Sequence, residues 1–162
     1  MTPEEIRARD RRWTQGVQPL LTALVLGRVL PAMEAAGFPM MGAGKALRTE
    51  AEQQALYAKG RTVPGPDVSA ARPMGRIVTQ ADGVRLRSNH QAHPDGSGHA
   101  IDCCFLIDAD QDGEVDDPTW SALRPWALYG AVVEEVAKAL DLRVVWGGRW
   151  RAYDGPHVEL LG

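Results

Sequence analysis

Helix-favouring segments occupy the first third of this chain, and short strand-like runs separated by Gly- and Asp-rich turns occupy most of the rest. That order excludes regular βαβ alternation and predicts an α+β fold: a small, mostly antiparallel sheet flanked by helices. Thr2-Pro3-Glu4-Glu5 reads as a helix start, with Thr2 as N-cap and Glu5 placed for a capping box, opening a helix to about Trp13. The apolar stretch 19–37 carries Leu20, Leu21, Leu24, Val25, Val29 and Leu30 and predicts a second helix that Pro31 kinks or divides. Thr49-Glu50-Ala51-Glu52 repeats the capping-box pattern for a helix that stops at Gly60 and hangs directly behind Arg48. Residues 61–75, with Pro64, Pro66, Pro73, Gly65 and Gly75, describe an irregular surface loop of the kind that shapes clefts. Strands are expected at 76–79, 84–87, 100–107, 143–146 and 156–161, and a helix at 120–140 despite Pro125.

With 162 residues, 44% of them apolar and 24% charged, residues 1–162 fit one domain, of which 1–37 form a helical N-terminal part. Eighteen basic against 21 acidic residues exclude a polyanion partner, so neither nucleic acid nor stable membrane association is expected. The opening MTPEEIRARDRRW is charged where a secretory signal would be apolar, so synthesis in the cytoplasm without an export signal is expected. Cys103 and Cys104 are adjacent within an apolar run and read as small buried residues rather than a redox pair.

SNHQAHPDGSGHAID, residues 88–102, holds His90, His93 and His99 together with Asp95 and Asp102. The fourth histidine, His157, follows Asp154 by three positions. A catalytic zinc takes three protein ligands and leaves a position for water, whose pKa it draws towards about 7. A carboxylate beside that water is the natural general base. Each half of the pattern is weak alone, since a lone strand histidine is more often packed than a ligand; the combination carries the weight.

Five blocks then occur in order across residues 46–160: Arg48 with Gln53 and Leu56-Tyr57; Ala58 to Gly65, with Gly60-Arg61 and Pro64; Ser88-Asn89-His90; Gly98 to Asp102; and Trp146 to Leu160, containing WGGRW and DGPHVEL. In these the chain resembles the zinc peptidases of the D-Ala-D-Ala metallopeptidase and hedgehog fold, in particular phage endolysins of the L-alanyl-D-glutamate peptidase type and their vancomycin-resistance relatives. The resemblance implies that His90, Asp102 and His157 bind zinc, that Asp154 acts as base and then acid, and that Arg48 polarises the scissile carbonyl and steadies the oxyanion. It implies substrate contacts from Gln53, Ser88 and Trp150, with orientation of Arg48 as the other reading of Gln53. One departure stands out: the commonest form of the motif places the Gly three residues after the histidine, whereas Gly98 lies eight after His90. His93 therefore stays open as an alternative ligand, while strand alternation points His99 away from Asp102. A turn at Pro94-Asp95-Gly96 would let the insert bulge out between unmoved flanks.

Asp108, Asp110 and Asp112 with Gly113 match the opening of an EF-hand-type calcium loop. Position 12 is Thr119 instead of a bidentate Glu, so a complete EF-hand is not expected. Two readings stand: a calcium loop using Asp108, Asp110, Asp112, the Glu114 carbonyl and Asp116, or an ordinary solvated acidic turn.

The expected function is zinc-dependent hydrolysis of an amide bond in peptidoglycan stem peptides, at L-Ala–D-Glu, by a monomer acting on the wall after release from the host cell. The alternatives are a D-Ala-D-Ala carboxypeptidase or dipeptidase of cell-wall metabolism, and a metal-stabilised binding module without catalysis.

Overall fold

The computed structural model describes residues 5, 8, 10, 12–43 and 46–162. The expected cap at Thr2 and Pro3 lies outside them, while Arg12 and Trp13 are helical. Helix α1 (Pro19–Leu24), a wide five-residue turn of π type (Val25–Val29) and α2 (Leu30–Ala35) follow one another without a break. Pro31, which was expected to kink or divide this segment, sits in the first turn of α2, and the Leu30 N–H reaches back to the Val25 carbonyl across the wide turn. The missing proline N–H is absorbed there by a local shift of hydrogen-bond register. Buried Leu21, Leu24, Val25, Val29 and Met33 from this segment form one side of the core.

Helix α3 (Glu50–Ala58) carries the expected capping box, with the Glu52 N–H bonded to Thr49 Oγ1 and the Thr49 N–H to Glu52 Oε2. Helix α4 (Trp126–Ala139) turns Trp126, Tyr129, Val133 and Ala137 inward, one face of a 3.6-residue period. It is shorter than expected: residues 120–125 are irregular, Pro125 stands just before the first turn, and the strand formed by residues 117–119 was not expected.

The sheet comprises β1 (Met40–Ala43), β2 (Ala100–Ile107), β3 (Asp117–Thr119), β4 (Val144–Trp146) and β5 (His157–Leu160). Every pairing is antiparallel, in the order β1-β2-β5-β4 with β3 also on β2. Strand β2 is central, and its Ile101, Cys103 and Phe105 join the core beneath α4. Cys103 and Cys104 are both buried thiols outside any disulfide, as expected, and burial pushes the Cys103 thiol well above its usual range. Strand β1 was not anticipated from the sequence. Its four residues are buried on both faces and so lack the alternation that marks a half-exposed strand.

The strands expected at 76–79 and 84–87 are not formed; both segments are irregular. At the second, Asp82 Oδ1 accepts the N–H groups of Val84, Arg85 and Leu86, a local side-chain cap that takes the donors a ladder would need.

Candidate active site

The site stands on the pairing of β2 with β5. Asp102 lies directly opposite His157 in that ladder, so both side chains project from one face, and Glu159, two residues beyond His157, shares it. His90 enters from the long loop between α3 and β2, fixed by the Arg48 N–H, which donates to its carbonyl at 2.7 Å, and by its own ring Nδ1 against the Ala46 carbonyl at 3.0 Å.

Three ligand atoms meet. His157 Nδ1 lies 2.7 Å from Asp102 Oδ1, His90 Nε2 is 3.3 Å from Asp102 Oδ2, and the two imidazole nitrogens are 3.3 Å apart. Among the described residues, these side chains form one of two groups of potential metal ligands, with donor atoms within 4.8 Å of one another. Two neutral imidazoles and a carboxylate suit zinc, and both imidazoles have their second nitrogen engaged: His90 Nδ1 with Ala46, and His157 Nε2 with Glu159 Oε1 at 2.9 Å. Such outer partners fix the tautomer of a ligating histidine. Burial works against a charge on His157, but the bonds to Asp102 and Glu159 outweigh it and push its pKa up to about 9. A metal arriving at neutral pH therefore displaces a proton. Burial likewise opposes ionisation of Asp102, yet the two histidines hold it well below the usual carboxylate range.

His93, the other ligand left open by the sequence, is elsewhere. Its ring stacks on His99, with centroids 3.8 Å apart, and its Nε2 bonds Asn89. His99 in turn bonds Asp95 at 2.9 Å. The insert closes on itself: the His93 N–H bonds the Ser97 carbonyl, the Gly96 N–H bonds the His93 carbonyl, and Gly96 takes the positive φ of 81° that the turn requires.

Arg48 reaches the cluster through Nη2, 3.4 Å from Asp102 Oδ2, while Nη1 is 3.4 Å from Gln53 Oε1. Gln53 is fully buried, and its amide donates to the Ala81 carbonyl and to Thr79 Oγ1. Of its two expected roles, this arrangement serves the orientation of Arg48; a contact with substrate would require the amide to leave its buried bonds. Ser88 lines the same groove, with its Oγ accepting the His90 N–H at 3.3 Å. Trp150 also lines it, its ring 5.0 Å from that of His157.

Asp154 is delivered by the turn after β4. Gly147 permits a close approach, since a Cβ there would fall 2.5 Å from the Asp154 carbonyl, and the Asp154 N–H bonds the Gly147 carbonyl at 3.0 Å. Trp146 Nε1 donates to the Gly155 carbonyl at 2.7 Å, pinning the same turn from the core side. Burial and the charge of Asp102 raise the proton affinity of Asp154 above that of an ordinary carboxylate. The groove shared by these side chains measures about 570 Å³ and is lined by Arg48, His90, Asp102, Trp150, Asp154 and His157, with the 76–81 segment as one wall.

The second group of potential ligands is Asp108, Asp110 and Asp112, whose carboxylate oxygens also lie within 4.8 Å of one another. Glu114 and Asp116 belong to the same loop, and Gly113 adopts a φ of 90°. Thr119 is in β3, paired with Phe105.

Residues 81–160, which include His90, Asp102, Asp154 and His157, match the D-alanyl-D-alanine carboxypeptidase family. The match takes in just under half of the chain and supports a peptidase of this family. In fold, the peptidase is similar to the crystal structure of the Serratia marcescens L-Ala D-Glu endopeptidase ChiX, with a TM-score of 0.62 and 24% sequence identity over 95% of this chain and 87% of that one. The arrangement of its site is the one hydrolysis of an amide needs: a ligand set for a Lewis acid, a carboxylate with raised proton affinity and a guanidinium, all opening on one groove.

Proposed function

We propose that this peptidase hydrolyses an amide bond in peptidoglycan stem peptides, with L-Ala–D-Glu as the target, using zinc held by His90 Nε2, Asp102 and His157 Nδ1. The observation that carries the reading is the convergence of those three atoms in a groove that also presents Asp154 and Arg48. Zinc, when bound, supplies Lewis-acid activation of water and of the scissile carbonyl. Asp154, with its raised proton affinity, takes the proton of the attacking water and returns it to the leaving nitrogen. Arg48, held by Gln53, faces the negative charge that grows on the carbonyl oxygen. Trp150 and Ser88 flank the bound peptide. A non-catalytic binding module would need neither Asp154 nor Arg48 in the groove.

Mass spectrometry of fragments released from purified peptidoglycan by the zinc-loaded protein tests the reading. New L-Ala C-termini and D-Glu N-termini are expected. Release of free D-Ala alone would favour carboxypeptidase action, the reading suggested by the name of the matched family, and no release at all would sink both. The setting that suits this activity is phage lysis, with a monomer made in the host cytoplasm reaching the wall through a separate pore.

Calcium at Asp108, Asp110 and Asp112 is a further part of the proposal, supported by their convergence in the loop after β2. Millimolar calcium added to the zinc-loaded protein should raise its melting temperature, and Asp110→Asn should abolish the rise. A melting temperature indifferent to calcium would leave the loop an ordinary acidic turn.

A further inference from the structure

The groove wall at 76–81 belongs to no strand, and among the described residues Ile77 to Asp82 make no backbone-to-backbone hydrogen bond. Its base at Arg76 is fixed by backbone: the Arg76 N–H bonds the Pro66 carbonyl, and Gly65 packs so closely that a Cβ would fall 2.2 Å from the Arg76 carbonyl oxygen. Further along, side chains of α3 and the turn after it hold the wall. Arg61 lays its guanidinium over the Tyr57 ring, 3.8 Å from the centroid. Its Nη1 donates to the carbonyls of Tyr57 at 2.7 Å and Thr79 at 3.0 Å, and its Nη2 to Gln80 Oε1 at 3.0 Å. Thr79 is thus gripped at its carbonyl by Arg61 and at its hydroxyl by Gln53, and the Gln53 amide is shared with Arg48.

We infer that Arg61 is a positioning residue for substrate: standing behind the groove, it sets the 76–81 wall against which an extended peptide lies, and through Thr79 and Gln53 the wall communicates with Arg48. The inference rests on reading the groove as a stem-peptide site. A planar guanidinium can hold two carbonyls, an amide oxygen and an aromatic face at once, and a lysine ammonium at the end of a flexible stem cannot. A wall fixed in advance spares the substrate the cost of ordering it, and that saving is realised only by a substrate long enough to reach the wall.

The test compares kcat/KM of the zinc-loaded full chain on a complete stem pentapeptide and on the blocked dipeptide L-Ala–D-Glu. Wild type should favour the pentapeptide. Arg61→Ala should lower that preference about tenfold, chiefly through KM, with zinc content unchanged. Arg61→Lys, which keeps the charge and the stem over Tyr57 and is the milder change should the alanine variant not fold, should lower it in the same direction. A preference within about twofold of wild type in the lysine variant, or equal losses on both peptides, would overturn the inference, the latter marking Arg61 as a residue of stability alone. Equal use of the two peptides by wild type overturns it as well while leaving the proposed function standing. Cleavage of neither peptide by wild type brings down the proposed function, and this inference with it.

Discussion

Asp154→Asn should lower turnover by about 10²–10⁴-fold, the range contributed by a positioned general base, while zinc content stays at the wild-type level. Asparagine is nearly isosteric with aspartate and leaves intact the backbone bonds that place this residue, from its own N–H to Gly147 and from the His157 N–H to its carbonyl. The change removes only the capacity to take a proton. Asp154 lies outside the three-ligand cluster, which is why metal and activity should separate. Its raised proton affinity, caused by burial and by Asp102, carries a second consequence. The base works only when ionised, so the acidic limb of the wild-type rate profile should lie at higher pH than an ordinary carboxylate would give, and should vanish in the variant. Near-normal rates in the variant would remove Asp154 from the mechanism, and loss of zinc would recast it as a support of the metal.

His90→Ala should cost zinc, weakening its retention by more than the roughly 100-fold associated with loss of an outer partner. His93→Ala should leave zinc content and rate close to wild type. The pair of variants separates two histidines that the sequence alone could not. His90 is 3% exposed, with its Nε2 turned to Asp102 and His157, whereas His93 stacks on His99 in the insert. Removing His90 leaves two ligands, and the half-buried Asp102 then has one fewer histidine to offset its charge. Zinc measured by atomic absorption after dialysis against a weak chelator decides the matter. Unchanged zinc in His90→Ala, with loss only in His93→Ala, would reverse the assignment.

Much of this arrangement is legible in the sequence wherever local chemistry dictates local shape. The capping box at Thr49 and Glu52, the apolar run of β2 and the Gly147-Gly148 turn each follow from interactions within a few residues. The exceptions have physical reasons. Strand β1 carries no alternation because both faces are buried, so no period of two sets its four residues apart after the apolar helical stretch that ends at residue 37. The run Val84 to Arg87 has the composition of a strand, but Asp82 captures its amide hydrogens, and Val84 and Leu86 stay exposed. Pro31 was weighed as a breaker, yet a single wide turn accommodates it. At the site, residue types could be named from the motifs, but the orientation of Gln53 could not: whether its amide faces solvent or the 76–81 wall depends on a loop whose course no periodicity encodes.

The insert between His90 and Asp102 closes through its own hydrogen bonds, and the His99 N–H returns to the Asn89 carbonyl at 2.7 Å, so the chain leaves and re-enters the site at nearly the same point. Its length is thereby decoupled from the geometry of the centre. The tip at Pro94 to Gly96 is a natural port for grafting: a short epitope or a wall-targeting peptide placed there would hang from a closed neck, tethered beside the groove rather than threaded through it.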